Sequence, residues 1–218
     1  MPEKLSEIEA RVVGSLVEKQ LTTPEYYPLT LNALVNACNQ KSNRDPVVAY
    51  NETTVTSTLE DLRDRNLVYV FYGSTSRVPK YKHMLPGVYE LEPPETAVIT
   101  ELLLRGPQTA GELRGRCERL HEFGGLGEVQ ETLDGLMRRD EPLIVRLPVQ
   151  PGRKEARFAH LLSGEVDIEA LAAAHPSRAA QVEAAADRIG KLEEEVTSLR
   201  GEVEAIRQTF EEFRKQFE

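Results

Sequence analysis

Two copies of one pattern of apolar and capping residues follow each other along the chain, and this internal repeat constrains the fold more than any other feature. The matched positions are Val12, Val13, Leu16 and Val17 with Val98, Ile99, Leu102 and Leu103 at an offset of 86, Thr30, Leu34 and Cys38 with Thr109, Leu113 and Cys117 at an offset of 79, and Val55, Thr58, Leu59 and Leu62 with Val129, Thr132, Leu133 and Leu136 at an offset of 74. The offset shrinks only between segments, where loops tolerate changes in length. A duplicated unit therefore explains the chain better than two unrelated segments of similar amphipathicity, which is the alternative.

The first copy has the signals of three helices followed by a β hairpin. Ser6, Thr30 and Asn51 stand just before three segments with helical apolar spacing, where N-cap residues belong. Residues 67–72 are rich in strand-forming side chains, and residues 81–85 form a returning strand after a Gly-containing turn. Three helices followed by a hairpin is the element order of a winged helix.

The second copy repeats this order, with residues 143–147 and 158–162 as its strands. The sequence therefore predicts a mainly α chain with small β hairpins (α+β), built as two tandem winged-helix domains plus a long C-terminal coiled-coil helix. The predicted boundaries are 1–85 for the first winged-helix domain, 86–94 for a linker, 95–164 for the second winged-helix domain, 165–177 for a second linker and 178–218 for the coiled-coil helix.

The C-terminal segment carries apolar residues in a heptad pattern, with β-branched residues common at the first apolar position and Leu at the second. This combination favours a parallel two-stranded coiled coil. In that register the flanking charges pair with opposite sign, as in Glu195 with Arg200. We predict a homodimer through Ile189, Leu192, Val196, Leu199, Val203, Ile206, Phe210 and Phe213. A single helix folded back onto its own chain is the alternative, and it explains the apolar stripe but not the paired charges.

The net charge of −9 is concentrated in the tail, because residues 165–218 hold 7 Lys+Arg and 13 Asp+Glu. The two predicted winged-helix domains are near neutral and can present a local basic face. The sequence has neither an apolar run of membrane-spanning length nor the features of a signal peptide, and two cysteines are too few for a disulfide framework. We therefore expect a cytoplasmic protein with no membrane partner.

No residue pattern points to catalysis. Cys117 and His121 lie one helical turn apart, but two ligands do not make a zinc site. The glycines of residues 124–127 neither follow a strand nor precede the Lys-Ser/Thr pair of a phosphate loop. Cys38 and Cys117 occupy matching apolar positions and are read as core residues. We expect no enzyme activity, no metal and no cofactor.

The residues best suited to nucleic acid lie at the start of the third helix and in two basic loops of the first copy. The predicted contacts are Lys41, Asn43, Arg44, Thr53, Thr54, Ser57, Arg77, Lys80 and Lys82, with His83 beside them. Such residues suit backbone phosphates more than base readout. The alternative is that these loops are only solvated. The third helix of the second copy carries Glu128, Glu131 and Asp134, which makes that copy a poorer DNA reader.

Residues 29–46, LTLNALVNACNQKSNRDP, together with Tyr81-Lys82-His83, resemble the YceH family of uncharacterised bacterial proteins. The resemblance covers about residues 5 to 164. It implies a tandem winged-helix fold and a bacterial cytosolic source, and it implies no activity. The stretch is dense in side-chain donors, which either contact nucleic acid or tie the loop to nearby helix ends by hydrogen bonds.

The sequence thus predicts a dimeric DNA-binding protein, and a regulatory role is compatible with this prediction. The alternative is an adaptor whose winged helices bind a protein partner and no DNA. The basic hairpins favour the first prediction, and the acidic residues of the third helices favour the second.

Overall fold

A computed structural model of the chain describes residues 3–72, 78–149, 153–167, 188, 195–201 and 203. It has a mixed α/β architecture of helices and small antiparallel sheets. The chain divides into two compact units, one made of residues 1–149 with 154–167 and the other of residues 150–153 with 168–218. In the part of the chain that the structure describes, no helix is both long enough and apolar enough to cross a bilayer.

The first copy of the repeat contains three helices and a three-stranded sheet. In chain order its elements are α1 (Glu7–Thr22), a 3-10 helix (Pro24–Tyr26), β1 (Leu29–Thr30), α2 (Leu31–Cys38), α3 (Glu52–Asp64), β2 (Val68–Phe71) and β3 (Lys80–His83). The side chains of Ser6, Thr30 and Asn51 each accept a hydrogen bond from a backbone N–H of the first helical turn, which confirms the three predicted caps.

The strand order in the sheet of the first copy is β1-β3-β2, with both pairs antiparallel. Val68 lies opposite His83, and both side chains are buried against the helices. Tyr69 lies opposite Lys82 on the other face. Because side chains alternate along a strand, one face of the hairpin packs inward and the other faces outward.

The second copy has the same element order. It consists of α5 (Pro93–Arg105), α6 (Ala110–Cys117), α7 (Leu126–Arg138), β4 (Ile144–Arg146) and β5 (Phe158–His160). An antiparallel bridge between Gln108 and Phe158 stands where β1 pairs with the hairpin in the first copy. The two copies thus agree element by element, as the shifting offsets of the sequence repeat predict.

One hydrophobic cluster runs through both copies. Helices α1 and α5 pack directly against each other, and Gly14 allows the close approach because a Cβ there would lie 3.0 Å from Cδ2 of Leu104. Residues 86–94, predicted as a linker, contain most of the short helix α4 (Leu85–Tyr89), and the side chains of Tyr89 and Leu91 are buried. Both copies belong to one compact unit. Their division into two separate domains stays a prediction.

The second unit is described only at residues 153, 188, 195–201 and 203, and all of these except residue 153 are helical. Three heptad positions fall among them, and the exposed fractions are 46% for Val196, 51% for Leu199 and 49% for Val203. The other predicted dimer positions, Ile189, Leu192, Ile206, Phe210 and Phe213, lie outside the described residues. The parallel dimer stays a prediction.

Candidate nucleic-acid interface

The loop of residues 39–46, which joins α2 to the segment before α3, turns its arginine inward. The side chain of Arg44 is buried and donates hydrogen bonds to both carboxylate oxygens of Glu18, at 2.9 and 2.6 Å. It also donates to the carbonyl of Ala37. Burial by itself would raise the pKa of Glu18, but the hydrogen bonds and charge of Arg44 outweigh it, and the pKa is lowered. Arg44 therefore anchors the loop to α1 and α2 rather than facing a ligand.

Asn43 connects the two copies of the repeat. Its Nδ2 donates to Oε1 of Glu18 on α1 at 3.0 Å and to Oε1 of Glu101 on α5 at 2.9 Å, and its Oδ1 accepts from Arg105 at 3.2 Å. The φ of Asn43 is 53°, in the left-handed region that asparagine tolerates better than most residues. The backbone N–H of Asp45 donates to the carbonyl of Leu104 at 3.0 Å. We call residues 39–46 the clasp, because their hydrogen bonds hold α1 and α5 together.

The density of donors in this stretch has a structural explanation. Asn39 donates to and accepts from the backbone of Tyr50, and Arg11 of α1 donates to the carbonyls of Cys38 and Pro46. Of the predicted contact residues in the clasp, only Lys41 is fully exposed. The structure thus places Asn43 and Arg44 in a tertiary hydrogen-bond network, which is the second of the two interpretations of the sequence.

The start of α3 is exposed and carries hydroxyl groups. The side chains of Thr53 and Ser57 are exposed, one helical turn apart, and that of Thr54 is half-buried. The same helix also exposes acidic side chains, which are Glu52, Glu60, Asp61 and Asp64. A duplex that approached α3 would therefore meet carboxylates as well as hydroxyls.

The outward face of the β2–β3 hairpin combines aromatic rings with lysines. Tyr69 is 60% exposed and Phe71 is 45% exposed, and the cross-strand partners are Lys82 for Tyr69 and Lys80 for Phe71. Lys82 is exposed and Lys80 is half-buried. We call these four side chains the outer sheet face. Arg77, a further predicted contact, lies outside the described residues.

The sequence interpretation included the two lysines of this face but missed the two rings. The signal was present, because residues 68–71 read VYVF and a period of two assigns Tyr69 and Phe71 to the same face of a strand. Which of the two faces is solvated depends on the packing of α3 against β2, and the sequence of the strand does not contain that information.

His83 belongs to the inward face and does not contribute positive charge. Its side chain is 4% exposed, and within the described residues neither ring nitrogen has a hydrogen-bond partner. Burial, helped by the neighbouring charge of Lys82, lowers the pKa of His83 to about 4. The ring packs near Tyr27, whose hydroxyl accepts from the backbone N–H of His83 at 2.7 Å. His83 is therefore neutral at pH 7.

The corresponding region of the second copy combines carboxylates and paired arginines with the exposed cations Arg146 and Lys154. Glu128, in the first turn of α7, accepts from the backbone N–H of Gly124 at 2.6 Å. Arg139 pairs with Glu95 and Arg157 with Glu112. Arg138 pairs with Asp134 on the surface of α7. This region presents carboxylates at its third helix and several paired arginines around it.

The cysteines are core residues. Cys38 and Cys117 are buried and reduced, at matching positions of α2 and α6. Burial raises the pKa of both thiols, which disfavours the reactive thiolate. Among the residues that the structure describes, no group of three or more His, Cys, Asp or Glu side chains is arranged to hold a metal ion. His121 instead contacts the ring of Phe123 and the carboxylate of Glu128.

Comparison with known proteins identifies the family. Residues 5–153 match the family described as "Protein of unknown function, DUF480". A "UPF0502 protein" of Citrifermentans bemidjiense is 55% identical over 218 residues, covering 100% of both chains. A UPF0502 protein of Geobacter sulfurreducens is 53% identical over 216 residues, covering 98% of both chains, and one of Opitutus terrae is 53% identical over 197 residues, covering 90% of this chain and 83% of the relative. In agreement with the YceH-like signature in residues 29–46, the chain belongs to the DUF480 (UPF0502) family of uncharacterised bacterial proteins.

Proposed function

We propose that the chain is a dimeric winged-helix protein that binds nucleic acid through the β2–β3 hairpin and the start of α3 in its first copy. The observation that carries the proposal is the outer sheet face, where two lysines stand among exposed aromatic rings and no carboxylate occupies the four positions. The order α1, β1, α2, α3, β2, β3 is that of a winged helix, in which the third helix and the hairpin are the usual contact elements.

The chemistry of these elements suits phosphate contacts. Lysine ammonium groups and the hydroxyls of Thr53 and Ser57 bind phosphate oxygens without reading sequence. The exposed start of α3 has no arginine, and the Oδ1 of its cap residue Asn51 already accepts a hydrogen bond from the backbone N–H of Thr54. Neither side chain is thus available there for bidentate base readout. We therefore expect binding that depends strongly on salt and weakly on sequence.

Dimerisation strengthens contacts that are weak in one chain. Val196, Leu199 and Val203 are each about half exposed along one helix, as the seam of a parallel coiled coil is before the partner binds. Linking two copies raises the effective concentration of the second contact. The two buried, reduced cysteines suit a reducing compartment such as the cytosol, where we place the protein.

The test is fluorescence anisotropy of the full chain with a labelled duplex of about 20 base pairs at low salt. The variant K80A/K82A removes both lysines of the outer sheet face, and K154A/R119A removes two exposed cations of the second copy as a matched control. We expect K80A/K82A to weaken binding about tenfold and the control to change it less than twofold, since phosphate contacts act locally. Equal losses in the two variants, or no binding by the wild type, would contradict the proposal.

The second candidate is a protein-binding adaptor that binds no nucleic acid. The acidic side chains on α3 and the paired arginines of the second copy favour it. It predicts a co-purifying protein that remains bound after nuclease treatment and that K80A/K82A does not release. Loss of the partner on nuclease treatment would count against this candidate.

A further inference from the structure

We infer that the outer sheet face stacks unpaired bases, so that the preferred ligand is single-stranded nucleic acid. This inference rests on the proposed function and narrows its ligand. It follows from the positions of Tyr69 and Phe71, from the lysines opposite them, and from the absence of a carboxylate at these four positions.

The two rings are placed to receive successive bases. Tyr69 and Phe71 are two residues apart on β2, so their Cα atoms are about 6.7 Å apart along the strand and both side chains stand on one face. β2 is an edge strand of the sheet, because β3 lies between it and β1. Within the described residues neither ring stacks on another aromatic ring. Tyr69 is 60% exposed and Phe71 is 45% exposed, so part of each side chain is open to a ligand.

Each ring has a cation directly across the sheet. Cross-strand partners in an antiparallel pair have Cβ atoms about 4.5–5.5 Å apart. Lys82 opposite Tyr69 and Lys80 opposite Phe71 thus place a lysine residue next to each aromatic residue. A nucleotide presents the same combination, a flat base next to a negatively charged phosphate. A purely apolar protein partner would match the rings but leave the two ammonium groups without a counter-charge.

The surroundings favour a single strand over a duplex. In a duplex the bases stack on each other, and only their edges reach the grooves. A single strand exposes base faces, and sheets with exposed aromatics bind such strands in other nucleic-acid-binding folds. The four positions of the outer sheet face carry two rings and two lysines, and the exposed carboxylates of α3 are not among them. A strand on the outer sheet face therefore meets no acidic side chain of that face.

The first experiment compares labelled oligo(dT) of about 15 nucleotides with a duplex of equal length by anisotropy at low salt. Y69A/F71A removes both rings and keeps the lysines, and Y26A/L126A removes two exposed apolar side chains elsewhere as a control. We expect the wild type to bind oligo(dT) more tightly than the duplex. Y69A/F71A should lose at least about tenfold in oligo(dT) affinity, since each stacked base is worth a factor of about five or more. The control should lose less than twofold.

The second experiment detects stacking directly. The chain contains no tryptophan, so F71W introduces a single reporter on the outer sheet face. We expect its fluorescence to be quenched when oligo(dT) binds and to stay unchanged with inorganic polyphosphate, which supplies charge without bases. Circular dichroism of each variant confirms that it is folded.

The outcomes separate this inference from the proposed function. If the protein binds the duplex through Lys80 and Lys82 while Y69A/F71A binds like the wild type, the proposed function holds and base stacking is wrong. Saturated oligo(dT) binding with unchanged F71W emission likewise overturns the inference. If neither oligonucleotide binds at low salt, both fall. Ring-dependent oligo(dT) binding with quenching supports both.

Discussion

The clasp and the β2–β3 hairpin are two cation-bearing segments of the same copy, and they differ in where their cations point. Arg44 of the clasp is buried against Glu18, whereas Lys82 of the hairpin faces outward opposite Tyr69. In the sequence both segments look like basic loops suited to phosphates. A dense set of hydrogen-bond donors is therefore not evidence of an interface until their acceptors within the chain have been located.

The largest expected effect is the loss of the buried ion pair in the clasp. R44A leaves the carboxylate of Glu18 buried without its main partner, so we expect the free energy of unfolding to fall by about 3–5 kcal/mol. Urea denaturation measures this change, with K41A as the control because Lys41 is exposed in the same loop. R44M/E18L, which replaces both partners by apolar groups, should recover much of the loss. A cost below about 1 kcal/mol, typical of a surface pair, would show that the clasp is not anchored as described.

The second prediction compares the inward face of the hairpin with its outward face through pH. An unfolded histidine titrates near 6.5, while burial lowers the pKa of His83 to about 4. The unfolded chain therefore binds more protons between these values, and stability falls as pH falls through that window. Because of His83, the free energy of unfolding should be higher above pH 6.5 than at pH 4, by up to about 3 kcal/mol. H83L lacks this group, so its stability should fall by correspondingly less over this window.

The difference between wild type and H83L isolates His83, since all other titrating groups are shared. Chemical denaturation at a series of pH values from 7 to 4 gives this difference. Parallel pH profiles of the two proteins would mean that His83 can be protonated in the folded state without cost.

The third prediction concerns the link that Asn43 makes between the two copies. N43G removes the donor shared by Glu18 and Glu101 but keeps the backbone free to adopt a positive φ, and we expect a loss of about 1–3 kcal/mol. N43A should cost about 1 kcal/mol more because alanine resists this φ. S42A, at the exposed neighbouring residue, is the control. If N43G unfolds with the same denaturant midpoint as the wild type, the bridge carries no stability.

The smallest effect on stability is expected in the hairpin. K80A/K82A removes two side chains that face outward, so the free energy of unfolding should change by less than about 0.5 kcal/mol. The same denaturation experiment gives the value. A loss comparable to that of R44A would erase the contrast between the two segments and assign the lysines a structural role.

Local signals predicted the helices well. Ser6, Thr30 and Asn51 cap their helices in the structure, because N-capping involves only the first turn of each helix. The strand β1 was missed, since its two residues are defined by pairing with β3, about fifty positions away. The sequence repeat also predicted the element order of the second copy, including the positions of α6 and α7.

The surroundings of the predicted contact residues could be foreseen only in part, and their contact with nucleic acid stays a prediction. Lys80 and Lys82 are on the outer sheet face, but Asn43 and Arg44 bond to α1 and α5, whose relative packing the sequence does not specify. Residues 86–94 were predicted to be a linker because no local sequence pattern indicates that Tyr89 and Leu91 are buried. Long-range packing determines both the surroundings of Asn43 and Arg44 and the burial of Tyr89 and Leu91. The apolar periodicity of a single helix or strand does not indicate such packing.

The salt dependence of nucleic-acid binding shows whether the outward lysines of the hairpin contact phosphate. The logarithm of the association constant of the full chain for oligo(dT) is measured against the logarithm of salt concentration, for the wild type and for K80A/K82A. Each lost phosphate contact on a single strand should reduce the slope by about 0.7, so the variant should be shallower by about 1.4. Equal slopes for the two proteins would show that the outward lysines of the hairpin do not contact phosphate.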